Sequence, residues 1–263
     1  MSLKYIAFSV LFLAGVSAGL AQEIELETLE SLPSPDVQDQ VIGGEKMDPA
    51  KWPATLVFRN RGGGGCTATA IGDRVIITAA HCVDNGGTGA ARVKGQSIRL
   101  ACYHHPHYRP PQSYSADFAL CLTEGQMPVL PFEVLNVDPS VPKLDAVVQL
   151  LGYGCLTIGG VDKTFGHLYG GTAKVVKMPG PGLYTVTEGG AAVCFGDSGG
   201  GSYVGDDVSR LLFAVNSRGN IKNRSFLSTI SSPIFLAWAE DWAVNNEVEI
   251  CGLTQNSAGC SEQ

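Results

Sequence analysis

Short apolar runs separated by glycine-containing segments dominate the chain from residue 54 to residue 230. Ten of these runs are predicted to be strands: 54–58, 66–71, 75–78, 97–103, 118–122, 147–151, 172–176, 182–186, 211–216 and 226–230. No amphipathic helical pattern separates them. Glycine, at 33 of 263 residues, supplies the tight turns that many short strands require. The pattern predicts an all-β sandwich or barrel.

One helix is predicted near the end of the chain. Ser232 and Pro233 provide an N-cap and a proline in the first turn, and large apolar residues then recur at helical spacing up to Asn245. No internal repeat is detectable in the sequence.

The first 40 residues differ in composition from the rest. Lys4 precedes the uncharged stretch 5–21, whose apolar centre passes into small residues, and this predicts a secretory signal peptide at 1–21. An uncleaved membrane anchor is the alternative, but a stretch of about 17 residues is short for a bilayer span. Residues 22–40 carry acidic residues and then prolines, which predicts a pro-segment or linker.

Charge and cysteine content narrow the class of protein. A net charge of −7, with no run of Lys or Arg, argues against nucleic acid as a partner. Eight cysteines in an exported chain predict four disulfides, whose connectivity the count leaves open. The sequence contains no C-x-x-C pair that would indicate a metal site. A proline interrupts the histidine cluster of His104, His105 and His107, which favours a turn or a surface position for it. Neither a metal nor a cofactor is therefore expected.

Three short strings concentrate residues with catalytic chemistry, at 78–82, 115–120 and 194–200. They contain His81, Asp117 and Ser198 in that order. A serine hydroxyl becomes nucleophilic when a neutral imidazole accepts its proton, and a buried carboxylate fixes the tautomer of that imidazole. The glycines beside Ser198 allow the amides of Gly196 and Ser198 to approach a common oxyanion.

Together with Val41-Ile42-Gly43-Gly44 upstream, these strings resemble the trypsin and chymotrypsin family of serine endopeptidases. The resemblance covers residues 41–245 and leaves 246–263 as a C-terminal tail. It implies two six-stranded antiparallel β-barrels with the active site in the cleft between them. It also implies that His81 is the general base and then the acid, that Asp117 orients it, that Ser198 is the nucleophile, and that Gly196 and Ser198 form the oxyanion hole.

The resemblance gives Val41 a role in activation. In this family, cleavage before such a sequence frees an ammonium that pairs with the Asp preceding the catalytic serine, here Asp197. Without that partner a buried carboxylate is costly, so the uncleaved chain is expected to be a zymogen. Gln40 stands where a trypsin-activated zymogen has Arg or Lys. The resemblance therefore does not identify the activating protease.

The substrate pocket departs from the trypsin pattern. Ala192 stands six residues before Ser198, where relatives that cleave after Lys and Arg have Asp. A substrate cation there would lose hydration without gaining a partner, so cleavage after uncharged residues is predicted. The other positions implied for the pocket are Phe195, Ser217, Gly219 and Ser225.

Ser225 and Arg218 allow more specific predictions about substrate binding. Ser225 is expected to narrow the pocket and to shift the preference toward smaller side chains. Arg218 replaces a tryptophan that commonly forms an apolar platform for the substrate, and a solvated loop residue is the alternative interpretation.

Disulfide pairs follow from the same resemblance and from position in the chain. Cys66 and Cys82 match the family bridge that fastens the histidine loop. Cys102 and Cys121 flank the Asp117 loop and are candidates to pair across a hairpin. Cys155 is then the remaining candidate for Cys194, and Cys251 with Cys260 would close a small loop in the tail.

The resemblance implies a secreted enzyme, extracellular or periplasmic, that acts on protein or peptide substrates and needs an activating protease. It also allows a proteinaceous inhibitor as a partner. Two other hypotheses stay open on sequence grounds: a catalytically silent homologue that binds a partner, and an esterase that uses the same nucleophile.

Overall fold

The computed structural model of the protein describes residues 42–128, 131–156, 165–180, 183–254 and 259–261. The predicted signal peptide, the predicted pro-segment and Val41 lie outside the described residues. The strands of the described part are β1 Glu45–Lys46, β2 Thr55–Asn60, β3 Gly65–Ala70, β4 Val75–Thr78, β5 Thr88–Val93, β6 Gln96–His104, β7 Ala119–Thr123, β8 Val147–Gly152, β9 Tyr169–Lys177, β10 Tyr184–Glu188, β11 Gly201–Gly205, β12 Arg210–Gly219 and β13 Arg224–Thr229. A 3₁₀ turn spans Ala80–Cys82, and helix α1 spans Pro233–Asn245.

The first barrel closes through six antiparallel strands in the order β2-β3-β4-β7-β6-β5. The pairing of β5 with β2 completes the ring. Its interior is filled by large buried side chains, among them Phe58, Ile76, Leu100 and Leu120. A six-stranded ring of this kind leaves an interior that side chains can fill, so the barrel is a packed core and not a pore.

The second barrel consists of β8 to β13. Its strands follow the order β9-β10-β13-β12-β11-β8, and an additional pairing of β8 with β9 closes the ring. The short strand β1 adds to β9 from outside the ring. Val175, Phe213 and Leu227 are fully buried in its core. The predicted fold of two six-stranded antiparallel barrels is confirmed.

All ten predicted strand segments coincide with strands, but β1, β5 and β11 were not predicted. The sequences of β5, T-G-A-A-R-V, and of β11, G-S-Y-V-G, contain too few large apolar residues to form a recognisable run. They become strands because both edges of each are hydrogen-bonded to neighbours, β5 to β2 and β6, and β11 to β8 and β12. Tertiary pairing overrides their weak local preference.

The predicted C-terminal helix is also confirmed, with its predicted end at Asn245. The Ser232 hydroxyl accepts a hydrogen bond from the Phe235 amide at 3.3 Å, and Pro233 occupies the first turn. The buried face carries Phe235, Ala239, Trp242 and Ala243. No helix of the described residues is both long and apolar enough to traverse a bilayer.

Four disulfides link the described cysteines, Cys66 to Cys82, Cys102 to Cys121, Cys155 to Cys194 and Cys251 to Cys260. Cys102 and Cys121 face each other across β6 and β7. The segment after the helix returns to the first barrel, where the amide of Cys251 donates to the carbonyl of Ile71 at 2.8 Å. The amide of Leu135, between the barrels in sequence, donates to the carbonyl of Cys251 at 2.9 Å.

Candidate active site

Strand pairing in the first barrel brings His81 and Asp117 together. β4 ends three residues before His81, β7 begins two residues after Asp117, and the two strands are antiparallel neighbours with Thr78 opposite Ala119. His81 Nδ1 lies 2.7 Å from Asp117 Oδ2, and the His81 amide donates to Oδ1 at 3.0 Å. The carboxylate therefore holds both the imidazole and the backbone of the same residue.

The Asp117 carboxylate is fully buried and receives a further bond from the second barrel. The Ser217 hydroxyl, on β12, donates to Oδ2 at 2.6 Å. Burial acts to raise the pKa of Asp117, but the hydrogen bonds from His81 and Ser217 outweigh it and hold the pKa below its ordinary value. An ionised Asp117 accepts a hydrogen bond from Nδ1–H, which leaves Nε2 of His81 unprotonated and able to take a proton from a nucleophile.

A tight turn presents Asp117 to the histidine. Ala116 has φ of +58°, and the Phe118 amide donates to the Ala116 carbonyl at 2.7 Å across the turn. A non-glycine residue in this conformation is strained by about 1–2 kcal/mol. Packing of the surrounding residues maintains this strained conformation, which directs the Asp117 carboxylate toward His81.

Ser198 lies in a turn that both barrels hold. Its carbonyl accepts from the Thr67 amide of β3 at 2.8 Å, and the Gly199 amide donates to the Asn216 carbonyl of β12 at 2.8 Å. Gly199 has φ of +84°, and a Cβ there would collide with Thr78 Oγ1 and the Thr67 carbonyl. Glycine is required because this turn packs directly on the end of β4, where the histidine follows.

The serine and the histidine approach the same disulfide. The Ser198 carbonyl oxygen lies 3.6 Å from the Cys82 sulfur, and a ring nitrogen of His81 lies within 4.8 Å of that sulfur. The Ser198 hydroxyl makes no hydrogen bond in the described part of the chain, to His81 or otherwise. Hydrogen bonds between catalytic groups are often long in substrate-free enzymes and tighten when substrate binds. About 37% of the His81 side chain is exposed, so substrate can reach it.

The amides of Gly196 and Ser198 are available to an external acceptor. Neither donates to a protein group among the described residues. Gly196 has φ of +97°, and its carbonyl is held by the Thr67 hydroxyl at 2.8 Å. This bond fixes the Gly196–Asp197 peptide group, whose N–H donates to the Cys194 carbonyl at 3.1 Å, and so it helps to hold the turn that contains both amides. Thr67 was not identified from the sequence, since a threonine in a strand carries no local signal for this role.

Asp197 is completely buried beneath the serine turn. Its carboxylate accepts from the amides of Gly154 and Cys194, each at 2.8 Å, and no cation contacts it in the described residues. Burial raises the pKa of Asp197 to about 7, although the two amides act to lower it. Asp197 therefore has no positive partner among the described residues.

The residues that follow Val41 lie alongside Ala192, the predicted floor of the pocket. The Ala192 amide donates to the Ile42 carbonyl at 3.0 Å. Gly43 has φ of +88° and packs against the carbonyl of Gly190. Val41 itself, predicted to supply the activating ammonium, is outside the described residues.

Three of the predicted pocket residues, Ala192, Gly219 and Ser225, lie close together in the second barrel. Ala192 and Ser225 are fully buried, and Gly219 stands opposite Ser225 in the pairing of β12 with β13. The Ser225 hydroxyl accepts from the Val193 amide at 3.0 Å, so it already has a partner within the protein. Phe195, at 62% exposure, is a large apolar side chain three residues before Ser198 that is open to solvent.

Arg218 is fixed between aromatic rings and is not a freely solvated loop residue. Its guanidinium donates to the Tyr114 carbonyl at 2.9 Å and lies over the rings of Tyr114 and Tyr184, at 4.7 and 5.4 Å from their centroids. The Tyr184 hydroxyl also donates to the Tyr114 carbonyl. The alternative interpretation of Arg218 as a solvated residue is therefore wrong.

Two clusters of potential metal ligands have other roles. Cys66, His81 and Cys82 lie close together, but both sulfurs belong to a disulfide and cannot bind a metal as thiolates. His105 was expected in a turn or on the surface, yet it is buried against Trp238 and its Nε2 lies 3.1 Å from the Ile234 carbonyl. It is a packing residue of the helix interface.

The chain is similar to known proteins both as a member of a family and in its match to an individual sequence. A sequence model described as trypsin matches residues 41–238, which is most of the chain. Trypsin alpha-4 of Lucilia cuprina is 20% identical over 136 residues, a match that covers 48% of this chain and 53% of the relative. The chain thus spans about half the length of that curated relative.

Proposed function

Because this chain belongs to the trypsin family, we propose that it is a secreted serine endopeptidase that cleaves after uncharged residues and is made as a zymogen. One observation carries the proposal. A fully buried Asp117 binds Nδ1 of a partly exposed His81, beside a serine turn whose Gly196 and Ser198 amides have no acceptor among the described residues. This is the arrangement that activates a hydroxyl and receives an oxyanion.

The proposed reaction proceeds through an acyl-enzyme. Ser198 Oγ attacks the substrate carbonyl while His81 Nε2 takes its proton, and the carbonyl oxygen becomes an oxyanion held by the Gly196 and Ser198 amides. His81 then gives that proton to the leaving amine as the C–N bond breaks. Water then attacks the acyl carbon and gives one proton to His81, and its hydroxyl stays on that carbon. His81 returns the proton to Ser198 Oγ as the ester C–Oγ bond breaks and the carboxylic acid product leaves. Asp117 stays ionised and stabilises the imidazolium.

Activation is proposed to occur by cleavage between Gln40 and Val41. The freed ammonium would pair with Asp197, whose pKa is raised by burial and which contacts no cation among the described residues. The contact of Ile42 with Ala192 supports this, because it holds the residue after Val41 beside the pocket floor. Chain that retains residue 40 is therefore expected to have low kcat/KM, and acetylation of the Val41 amine is expected to reverse activation.

The proposed specificity follows from the pocket. Ala192 offers no charge, and the Ser225 hydroxyl is occupied by the Val193 amide. Selectivity is therefore expected to come from shape and apolar burial, which separate substrates that differ by one methylene by about 1–3 kcal/mol. Ser225 has a Cβ where a glycine would leave space, so smaller apolar side chains are favoured over large ones.

The remaining assignments concern the whole chain. Residues 1–21 are proposed to direct export, 22–40 to be the pro-segment, 41–245 the catalytic domain and 246–263 a disulfide-containing tail. Four disulfides fit an oxidising compartment outside the cytosol. The proposed partners are protein or peptide substrates, an activating protease and a proteinaceous inhibitor.

Replacement of the proposed nucleophile tests the function. Protein cleaved before Val41 should hydrolyse uncharged peptides and be labelled by an organophosphonate, whereas Ser198→Ala should lose both by several orders of magnitude. Ser140→Ala, an exposed serine, is the matched control and should behave as the parent. Absence of labelling in the parent would favour a silent binding homologue. Hydrolysis of an ester with no hydrolysis of the corresponding peptide amide would favour an esterase.

A further inference from the structure

The first barrel carries a surface cavity of about 570 Å³ that shares no lining residue with the substrate pocket. Its charged lining residues are four arginines and one acid: Arg59, Arg61, Arg74, Arg99 and Glu124. Gathering four cations around one cavity is unusual for a chain with a net charge of −7. Cavities of this size are typical of ligand sites.

Sheet register explains why the arginines converge. Arg59 on β2 stands opposite Ala90 on β5, and Ala90 stands opposite Arg99 on β6. Residues directly opposite each other in antiparallel strands share a face, so both arginines project from the outer face of the barrel. Two strand spacings separate their backbones by about 10 Å. The small side chain of Ala90 between them leaves an open floor.

The four arginines have no anionic partner in the described part of the chain. None forms an ion pair, and none of their side chains donates a hydrogen bond. By contrast, Arg210 binds Glu133 and Arg224 binds Glu188. The acidic residue of the cavity, Glu124, contacts this group of arginines through its backbone amide, which donates to the Arg99 carbonyl at 3.3 Å. Like charges so arranged repel one another until an anion neutralises them.

Strand β3 links the arginines of this cavity to the candidate active site. Arg59 stands opposite Gly65, and two residues further along β3 the Thr67 amide binds the Ser198 carbonyl. The Phe165 ring covers this route: the Arg59 guanidinium lies 5.2 Å from its centroid, and a Cβ on Gly65 would overlap the ring. The same ring lies against Gly196, where a Cβ would approach it to 2.9 Å.

We propose that this cavity binds an acidic peptide segment of the protein substrate, located on the C-terminal side of the scissile bond. The proposal rests on the proposed peptidase function. The acyl half of a substrate would place its side chain in the Ala192 pocket of the second barrel. The cavity lies on the other side of the Ser198 turn, on the first barrel, whose strand β3 binds that turn, and so it would meet the leaving-group half.

The strand geometry also gives the position of the acidic residues. The path from Thr67 to Arg59 covers two residues of β3 and one strand spacing, and Arg99 is two strand spacings further. An extended peptide that rises about 3.3 Å per residue covers this span in about three to six residues. A bounded cavity with arginines from two strands and two adjoining loops fits a short acidic segment better than a long uniform polyanion, which would need an extended basic stripe.

Two peptides that differ only beyond the cleavage site test the proposal. Both have the same uncharged residues up to the third residue after the scissile bond, and then four Glu in one and four Gln in the other. The ratio of kcat/KM for the Glu peptide to that for the Gln peptide should exceed one for the parent. It should fall about fivefold in Arg61→Gln/Arg99→Gln, because exposed ion pairs contribute modestly.

A charge-matched control separates this site from net charge. Lys143→Gln/Lys177→Gln removes two exposed cations from outside the first barrel, and its ratio should equal that of the parent. A ratio of one in the parent, or an equal fall in both double variants, would overturn the proposal. When the four Glu are moved to the N-terminal side of the scissile bond, the preference for the Glu peptide should disappear. If it persisted, the assignment of the cavity to the C-terminal side of the substrate would be wrong.

Direct binding keeps the test independent of catalysis. In Ser198→Ala protein, fluorescence anisotropy should show that the Glu peptide binds more tightly than the Gln peptide. Added salt and the substitutions Arg61→Gln/Arg99→Gln should each weaken the binding of the Glu peptide. If the parent hydrolysed neither peptide but this binding were observed, the proposed peptidase function would be contradicted and the binding site would not. Binding of a polysulfated saccharide through these arginines, without binding of the Glu peptide, would show that the proposed ligand class is wrong.

Discussion

The amide of Gly154 donates a 2.8 Å hydrogen bond to Oδ1 of Asp197, across 43 residues of sequence. Gly152 and Gly154 both pack so closely on this aspartate that neither has room for a side chain. The disulfide of Cys155 with Cys194 lies immediately beside the same contact. The end of β8 and the serine turn are thus held together by a hydrogen bond, by close backbone packing and by a covalent bond.

Gly154→Ala is expected to damage the serine turn without unfolding the protein. Its Cβ would lie 2.6 Å from both the amide nitrogen and Oδ1 of Asp197, so the turn that carries the Gly196 and Ser198 amides must shift. A misplaced oxyanion donor costs about 10²–10³ in kcat. Kinetics of the cleaved enzyme on an uncharged peptide will measure this. Gly180→Ala, where nothing lies within 4 Å of the added Cβ, is the control, and an equal loss there would contradict the argument.

The uncleaved chain is expected to lose stability as pH rises from about 4 to about 7. Burial raises the pKa of Asp197 to about 7 from an ordinary 3.8, so the unfolded chain releases this proton at lower pH than the folded chain. The free energy of unfolding should fall across that interval by up to about 4 kcal/mol, since one pKa unit corresponds to about 1.4 kcal/mol. Urea unfolding with the disulfides intact measures it.

Two variants of this experiment isolate the cause. Uncleaved Asp197→Asn has no carboxyl to titrate, so this part of the pH dependence should disappear. Protein cleaved before Val41 should also lack the fall, because an ammonium beside Asp197 favours the ionised form. Persistence of the full pH dependence in Asp197→Asn would assign it to another group.

Ala192→Asp is expected to add cleavage after Lys and Arg. The new carboxylate would give a substrate cation the partner that Ala192 lacks, although the surrounding loops are not adapted to it. Peptides that differ only in the residue before the scissile bond, as Arg, Leu or Phe, measure the change. Ala192→Asn is the control of equal size without charge, and it should leave Arg disfavoured. A parent enzyme that preferred Arg to Leu would refute the uncharged pocket.

Glu133→Gln is expected to destabilise the fold by about 3–5 kcal/mol, because it leaves a buried Arg210 charge without its carboxylate. The pair is bidentate, with distances of 2.7 and 2.9 Å, and the guanidinium also lies 3.9 Å from the centroid of the Trp52 ring. Urea unfolding provides the comparison. Asp145→Asn, which breaks the exposed pair with Lys174, should cost less than about 1 kcal/mol. Equal costs for the two variants would contradict the role of burial.

Local signals in the sequence were sufficient for much of the fold. The ten apolar runs and the Ser232-Pro233 cap depend on residues within a few positions, so they were predicted correctly. β5 and β11 were missed because their strand character comes from neighbours on both edges. The three catalytic strings were recognisable for the same local reason, since each histidine, aspartate or serine has its distinguishing neighbours beside it in the chain.

The sequence by itself determined the β architecture, the helix and the identity of the candidate catalytic residues. Only the tertiary structure revealed that Ser217 binds Asp117 across 100 residues and that Thr67 holds the Gly196 carbonyl. The arginine cavity shows the reason most clearly. No run of basic residues marks it in the sequence, because strand register brings Arg59 and Arg99 to opposite sides of Ala90 from 40 residues apart. Contacts between distant segments depend on register and barrel closure, which no local pattern encodes.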